Sequence, residues 1–470
     1  MMVMEETDKE QKSIQHTTLL IAMITNFIPP FAVTALNIAV PHIGTEFHAS
    51  TTSLTWIVVS FLLVSSVLSL PVGRIADIYG RRPVLKAGIL LICISTFLNI
   101  FSPNMTVFLA FRVLQGISAA MIFSTNVALL VDVFPASKRG SVLGISVAAV
   151  YTGSACGPVI GGLITHAFGW RGVFAAISLL ALIAFILAMI RSPKETKPGL
   201  GQKLNISSIV FYIVSLGTFL YGLVTLSQHI LSYIIIAAGC VLLVFFVKHE
   251  GRTEVPVFDV RLFRGNLTLV LSIMATLFNY AAVFAVSYLF SIYLQLARGF
   301  NADISGFILI SQPVVQIALS LIAGRLSDKK TPSAIASTGM ACCAGALFMF
   351  TFVGVHTPIP YIIAGLMLTG VGIGLFASPN TNVILSSVSS KDYSVASSMI
   401  STARTVGQVI GMAILTIIIN AVIGNVSIEK VAAGAIVQDM HISFSIFAVI
   451  CVVGIMFSLG RRRKAVGSEQ

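Results

Sequence analysis

GRIADIYGRRP, residues 73–83, stands between two long apolar stretches, and a shortened echo, GRLSDKKTP, occupies residues 324–332. Each run closes one apolar span and opens the next. A basic loop that recurs at equivalent places in a hydrophobic chain is the signature of a duplicated helical bundle, as in carriers built from parallel repeats. Asp77 and Asp328 then fall after the second helix of each half. The composition around the repeat agrees. The chain is 56% hydrophobic and only 10% charged, with a mean hydropathy of +0.97, whereas soluble domains carry about 25% charged residues. A membrane-crossing helix needs roughly 20 apolar residues, and a barrel strand only about 10. The apolar runs here are too long for strands, so the expected fold is all-α and polytopic, with about fourteen transmembrane helices.

Basic residues orient those helices. With a cytoplasmic N-terminus, roughly eight in nine of the loop Lys and Arg residues fall on one side. That side carries Arg74, Arg81, Arg82, Lys138, Arg139, Lys248, Lys329 and the 461–464 cluster, while Arg171, Arg298 and Lys430 lie opposite. Both termini are therefore expected in the cytoplasm. The net charge of +12 reads as topology and contact with anionic lipid. It does not read as nucleic-acid binding, because no soluble domain carries a basic stripe. The N-terminal sixteen residues are polar and mixed in charge, unlike a secretory signal. All six cysteines fall in apolar spans and read as core filler. With no CxxC or Cys/His spacing, no catalytic triad and no phosphate loop, the chain reads as neither an enzyme nor a cofactor protein. The expected organisation is a tail (1–17), a six-helix bundle (18–190), linkers with two extra helices (191–265), a second six-helix bundle (266–460) and a basic tail (461–470).

Four stretches resemble the major facilitator superfamily, and within it the fourteen-helix drug:proton antiporter branch (EmrB/QacA type). The loop at Gly73 matches in Gly73, Asp77, Gly80, Arg81 and Arg82. FRVLQG matches in Arg112, Gln115 and Gly116. GSACGPVIGG matches in Gly153, Gly157, Pro158, Gly161 and Gly162. TALNIAVP, residues 34–41, resembles the first-helix motif. The resemblance spans nearly the whole chain after the tail. It implies a carrier in the cell membrane that exports small amphipathic molecules by alternating access, coupled to an ion gradient with protons as the partner ion.

Physical readings accompany each motif. Gly73 and Gly324 let helices approach. Asp77, with Arg81 or Arg82, and Asp328, with Arg325, would form a latch that breaks during transport, against the simpler reading of a solvated loop that only sets topology. The glycines of GSACGPVIGG recur about once per turn and would form a sealing surface, or ordinary helix packing. Arg112, two turns inside its helix, faces a cavity or partner, or else snorkels to the interface. Arg404, in STARTVGQVIG, reads as snorkelling or structurally paired in preference to substrate contact. Further cavity candidates are Asn37, Asn126, Asn279, Gln312, Gln316 and Asn380, each equally readable as an interhelical hydrogen bond. One departure stands out. Ala32 occupies the first-helix place where this branch usually has Asp, and no other acid is expected at mid-span; Asp132, Asp303 and Glu46 come nearest. Poor handling of lipophilic cations follows, with a preference for neutral or anionic solutes. An Asp at position 32 would be expected to confer cation export.

Overall fold

A computed structural model describes residues 2–190, 204–253, 256–257, 260–327, 331–388 and 393–461. The linker at 191–203 and the tail at 462–470 lie outside them, as do Asp328 and the side chain of Arg325. The described residues contain no β-strand. They form fifteen α-helices, α1 to α15: Met2–Glu46, Thr51–Tyr79, Arg81–Asn99, Met105–Val133, Ala136–Ile190, Ile206–Val224, Leu231–Glu250, Leu267–Val283, Ala285–Ile292, Ala302–Leu309, Ser311–Ser327, Pro332–Phe350, Ile359–Ser386, Tyr393–Val422 and Ala433–Gly460. A π-helical turn, Tyr293–Ala297, follows α9. Among the described residues 13 helices are long and apolar enough to cross a membrane.

Local chemistry sets the boundaries. Ser50 and Asn104 accept hydrogen bonds from Ser53 N and Val107 N at the starts of α2 and α4, satisfying amides that a helix start leaves open. Gly80, with φ 124°, separates α2 from α3, a conformation that a side chain resists. In the 55-residue α5, Gly169 has φ 71° and breaks the helix. The chain turns back there: Trp170 and Arg171 meet Glu46, while Ala188 borders Thr18 and Arg82 at the other end.

Packing sorts the helices into two sets, α1–α5 and α8–α15, with α6 and α7 paired beside them. The loop repeat has a packing counterpart. A Cβ on Gly73 would sit 3.5 Å from Ser124 of α4, and one on Gly324 3.3 Å from Ser378 of α13. These are ordinary contacts, or nearly so. Within the first set, a Cβ on Gly116 of α4 would lie 2.7 Å from the carbonyl oxygen of Phe61 of α2, and one on Gly157 of α5 would collide with the Thr34 hydroxyl of α1. Apolar side chains such as Ile230, Tyr233, Ile234 and Phe245 of the α6–α7 pair point outward, as lipid-facing surface does.

Candidate functional site

The two sets meet most tightly at the end of the bundle that carries Glu46, Ser50 and Gly169. There Thr51 N donates to Val426 O at 3.0 Å, and the Thr51 hydroxyl donates to Gly424 O at 2.7 Å. Thr52 donates to the Asn420 side chain at 2.6 Å. Ser291 donates to the carbonyl of Asn37 at 2.6 Å and Gln295 to that of Ile38 at 3.0 Å. Two histidine–carboxylate pairs cross the same junction: His48 with Glu429 at 3.3 Å and His166 with Asp303 at 3.8 Å.

Glycines let the backbones touch here. A Cβ on Gly162 of α5 would lie 2.5 Å from Ala302 O, and one on Gly306 of α10 would collide with Pro158 O. The GSACGPVIGG stretch therefore presents two ridges and not one face. Pro158 and Gly162, four residues apart, face α10. Gly153, Gly157 and Gly161 face Phe27, Thr34 and Ala35 of α1 in their own set. Residues spaced by four share a helix side, which the expectation of a single sealing surface overlooked.

Towards the middle of the bundle, four helices bring polar groups to the boundary between the sets. Tyr280 of α8 lies within electrostatic reach of Arg404 of α14, and Tyr151 of α5 lies beside Ser320 of α11 and within reach of both Tyr280 and Arg404. Arg404 thus has tyrosines for neighbours at the boundary between the sets. Tyr151 and Ser320 were invisible to sequence reasoning, because hydroxyls are common in membrane helices.

The remaining candidates divide. Arg112 is 1% exposed, so it does not snorkel. Its Nε donates to Ile57 O at 2.9 Å, its Nη1 donates to Gln115 Oε1 at 2.7 Å, and its guanidinium lies 4.7 Å from the centre of the Phe61 ring. Asn126 ties α4 to α1, donating to Thr25 and to Asn26 at 2.9 Å. Asn380 donates to Thr276 at 2.8 Å and accepts from Arg461 at 2.5 Å; Arg461, counted among the tail charges, is buried. Gln312 accepts a long bond from Ser287, 3.5 Å. The backbone of Gln316 packs on Gly370. Asn279 is fully buried with both side-chain polar atoms unpartnered, as is Asn37 Oδ1. At the opposite end of the bundle, Arg81 donates to Asp77 at 2.8 Å and to Asp132 at 2.9 Å. That cluster joins α2, α3 and α4 within one set. Arg82 is buried beside Thr18, Lys86 and Asn126.

Two expectations are corrected. Ala32 does not face the boundary between the sets; it is buried in an apolar cluster with Ile28, Phe31, Val173 and Ile177. And an acid does lie within a span: Asp439, 2% exposed, sits in the first third of α15. Gln438, Asp439 and His441 interrupt the apolar run, so hydropathy alone starts this span only after them.

A family model described as the Major Facilitator Superfamily matches residues 22–275 and again 271–469. The riboflavin transporter RibZ of Clostridioides difficile (strain 630) is 26% identical over 446 residues, 95% of this chain and 97% of that protein. The multidrug efflux pump LfrA of Mycolicibacterium smegmatis (strain ATCC 700084 / mc(2)155) is 26% identical over 392 residues, 83% and 77% of the two chains. Among solved structures, a bacterial homolog of the human lysosomal transporter Spinster superposes with a TM-score of 0.70 at 14% identity, over 97% of each chain. With a matching family model over most of its length and the same helical architecture, the chain is a multi-pass cell-membrane transporter, not an enzyme, and belongs to the Major Facilitator Superfamily.

Proposed function

We propose that this protein is a secondary active exporter of small amphipathic compounds of the fourteen-helix, EmrB/QacA type, working by alternating access and coupled to an ion gradient, with protons as the partner ion. The observation that supports this most is the asymmetry of the boundary between the sets. One end is closed by backbone-to-backbone contact at Gly162 and Gly306, while a polar group of Tyr151, Tyr280, Ser320 and Arg404 gathers further in. Packed interfaces have discrete arrangements, so such a closure is one of two states, and its release exposes the interior to the other side. In this reading α5 crosses the membrane twice, turning at Gly169, which gives two six-helix bundles (18–190 and 266–460), two intervening helices and both termini in the cytoplasm. Gly73, Asp77, Gly80, Arg81 and Arg82, with Gly324, Arg325 and Asp328, form the cytoplasmic gate.

A second reading, uptake of a neutral or anionic solute, draws support from Arg404, a cation among tyrosines at the boundary between the sets. Relatives named for riboflavin transport and for multidrug efflux are equally distant. Flux of riboflavin and of a fluorescent amphipathic dye, measured in sealed vesicles of known orientation with and without a pH gradient, tests both. Gradient-driven movement from the cytoplasmic face supports export. Movement only towards it supports uptake. No solute-dependent flux or conformational change in either orientation would overturn the transport reading in favour of a receptor or scaffold.

A further inference from the structure

Two buried polar atoms of α15, Asp439 Oδ1 and Ser443 Oγ, and one of α9, the Tyr288 hydroxyl, lack any hydrogen-bond partner. Asp439 is 2% exposed, Ser443 fully buried and Tyr288 1% exposed. Asp439 and Ser443 are four residues apart, hence on one helix side, and Tyr288 lies within electrostatic reach of Asp439. The titratable and charged groups on the elements packed against α15 are engaged elsewhere. Tyr293 donates to Gly354 O and Arg298 to Thr357 O. His441 bonds Val353 O. Cys343 and Cys451 donate to Thr369 O and Met340 O. Tyr280 faces Arg404, and Arg461 bonds Ser272 and Asn380 at the far end. No cation among the described residues forms an ion pair with Asp439. A lone ionised carboxylate in such a place is strongly disfavoured, and three orphaned hydroxyl and carboxyl groups in one buried region depart from the rule that buried polar atoms are paired.

Resting on the reading of the chain as a gradient-driven carrier, we propose that Asp439, with Tyr288 and Ser443, is its proton-binding site. Binding a proton turns the carboxylate into a neutral carboxyl, whose O–H donates to an adjacent hydroxyl oxygen. Release sends that proton to water and leaves the carboxylate to accept from the Tyr288 and Ser443 hydroxyls. Tyr288 carries the change to the closed end of the bundle. It precedes Ser291 by about one turn, and Ser291 and Gln295 bond the α1 carbonyls of Asn37 and Ile38 across the boundary between the sets. Drawing the Tyr288 hydroxyl towards a charged Asp439 therefore biases the helix that closes the seal. The site uses an acid on the last helix, away from position 32.

The test is infrared difference spectroscopy of the purified full chain in lipid across a pH series. The wild type is expected to show a protonated-carboxyl C=O stretch that disappears as pH rises, and that is missing in Asp439→Asn and present at a shifted frequency in Asp439→Glu. An identical spectrum in Asp439→Asn overturns the proposal. So does a band that sodium chloride removes at fixed pH and choline chloride does not, since the site would then hold a metal cation. If Asp439→Asn does not fold, Tyr288→Phe and Ser443→Ala are expected to move the titration midpoint of the same band, and an unmoved midpoint in both overturns the site. The band is read without any transported solute. Its absence removes the proton site and leaves the transport reading standing, whereas a titrating band in a protein with no flux does the reverse.

Discussion

Replacing Gly162 with Ala is expected to pry open the closed end of the bundle. The new Cβ would lie 2.5 Å from Ala302 O, 3.2 Å from its carbonyl carbon and 3.3 Å from Asp303 Cα. All three are backbone atoms and have no rotamer through which to yield. Carbon–oxygen contacts settle at about 3.3–3.6 Å, so α5 and α10 must part by about 1 Å. Overpacking of this kind costs about 1–3 kcal/mol. The cost falls only on the state in which the two helices touch, and it shifts the balance between states by about 5- to 150-fold. The neighbouring Gly161→Ala is the control. Its Cβ would lie 2.6 Å from Ala35 of α1, within the same set, so it burdens both states alike and lowers stability without moving the equilibrium. Spin labels at exposed Thr45 and Lys430, on opposite sides of the junction, in a cysteine-free background, give the readout by double electron–electron resonance. The wild type is expected to show a dominant short distance, Gly162→Ala a new long-distance population, and Gly161→Ala the wild-type distribution with a lower melting temperature. An unchanged distribution in Gly162→Ala, or the same shift in Gly161→Ala, would refute the reasoning.

Four further outcomes follow from the geometry. Arg112→Ala leaves the buried Gln115 Oε1 unpaired, worth about 1–3 kcal/mol, and removes the guanidinium's bond to Ile57 O; it is expected to lower the melting temperature and flux together, and Arg112→Lys is not expected to restore either, since an ammonium lacks the guanidinium fork. Asp77→Asn removes one of the two carboxylates held by Arg81, a partly exposed contact worth about 1 kcal/mol or less; flux should fall at matched membrane levels with insertion unaltered, and wild-type flux would remove the latch. The His48→Gln, His166→Gln double variant removes both imidazole–carboxylate contacts, to Glu429 and Asp303, across the closed end; the short Thr45–Lys430 distance should lose population, and an unchanged distribution would show that these contacts do not hold the closure. Ala32→Asp places a carboxylate in the Ile28–Val173–Ile177 cluster and is expected to reduce the yield of folded protein without conferring cation efflux, contrary to the motif-based expectation; gained efflux of a fluorescent cation at normal yield would show that position 32 reaches the cavity.

How much of this was legible in the sequence depends on the range of the interaction. The helices and the loop repeat follow from composition and local pattern, and Gly73–Ser124 and Gly324–Ser378 form matching contacts in the two sets. The Asp77–Arg81 pairing was legible because both residues sit in one loop. Asp132, Arg81's other partner, is 51 residues away from it, and no local pattern announces it. Gly306, Tyr151 and Ser320 went unnoticed for the same reason: each acquires its role only when the second set is brought against the first. Asp439 was missed for a different one. A hydropathy window ends a span at the first charged residue, yet α15 continues two turns beyond that point towards Ala433, because packing against α8 and α12 shelters the polar side.

The closed end is built so that it can open. Of the contacts crossing it, those between α5 and α10 are glycine-to-backbone. Those between α2 and the end of α14 with the loop after it are hydrogen bonds from Thr51 and Thr52. Among the described residues, two histidine–carboxylate contacts also cross it. The arginine–carboxylate pairs, Arg171 with Glu46 and, at the far end, Arg81 with Asp77 and Asp132, lie within the first set and do not cross the closed end. Breaking a buried salt bridge costs about 3–5 kcal/mol, which would hold one state against all others. Close backbone contact gives up dispersion energy in small increments as it opens, and freed hydrogen-bonding groups at a bundle end find water. An interface made from glycine, threonine and imidazole keeps the two arrangements of the proposed cycle within the few kcal/mol that differential binding of a solute can supply.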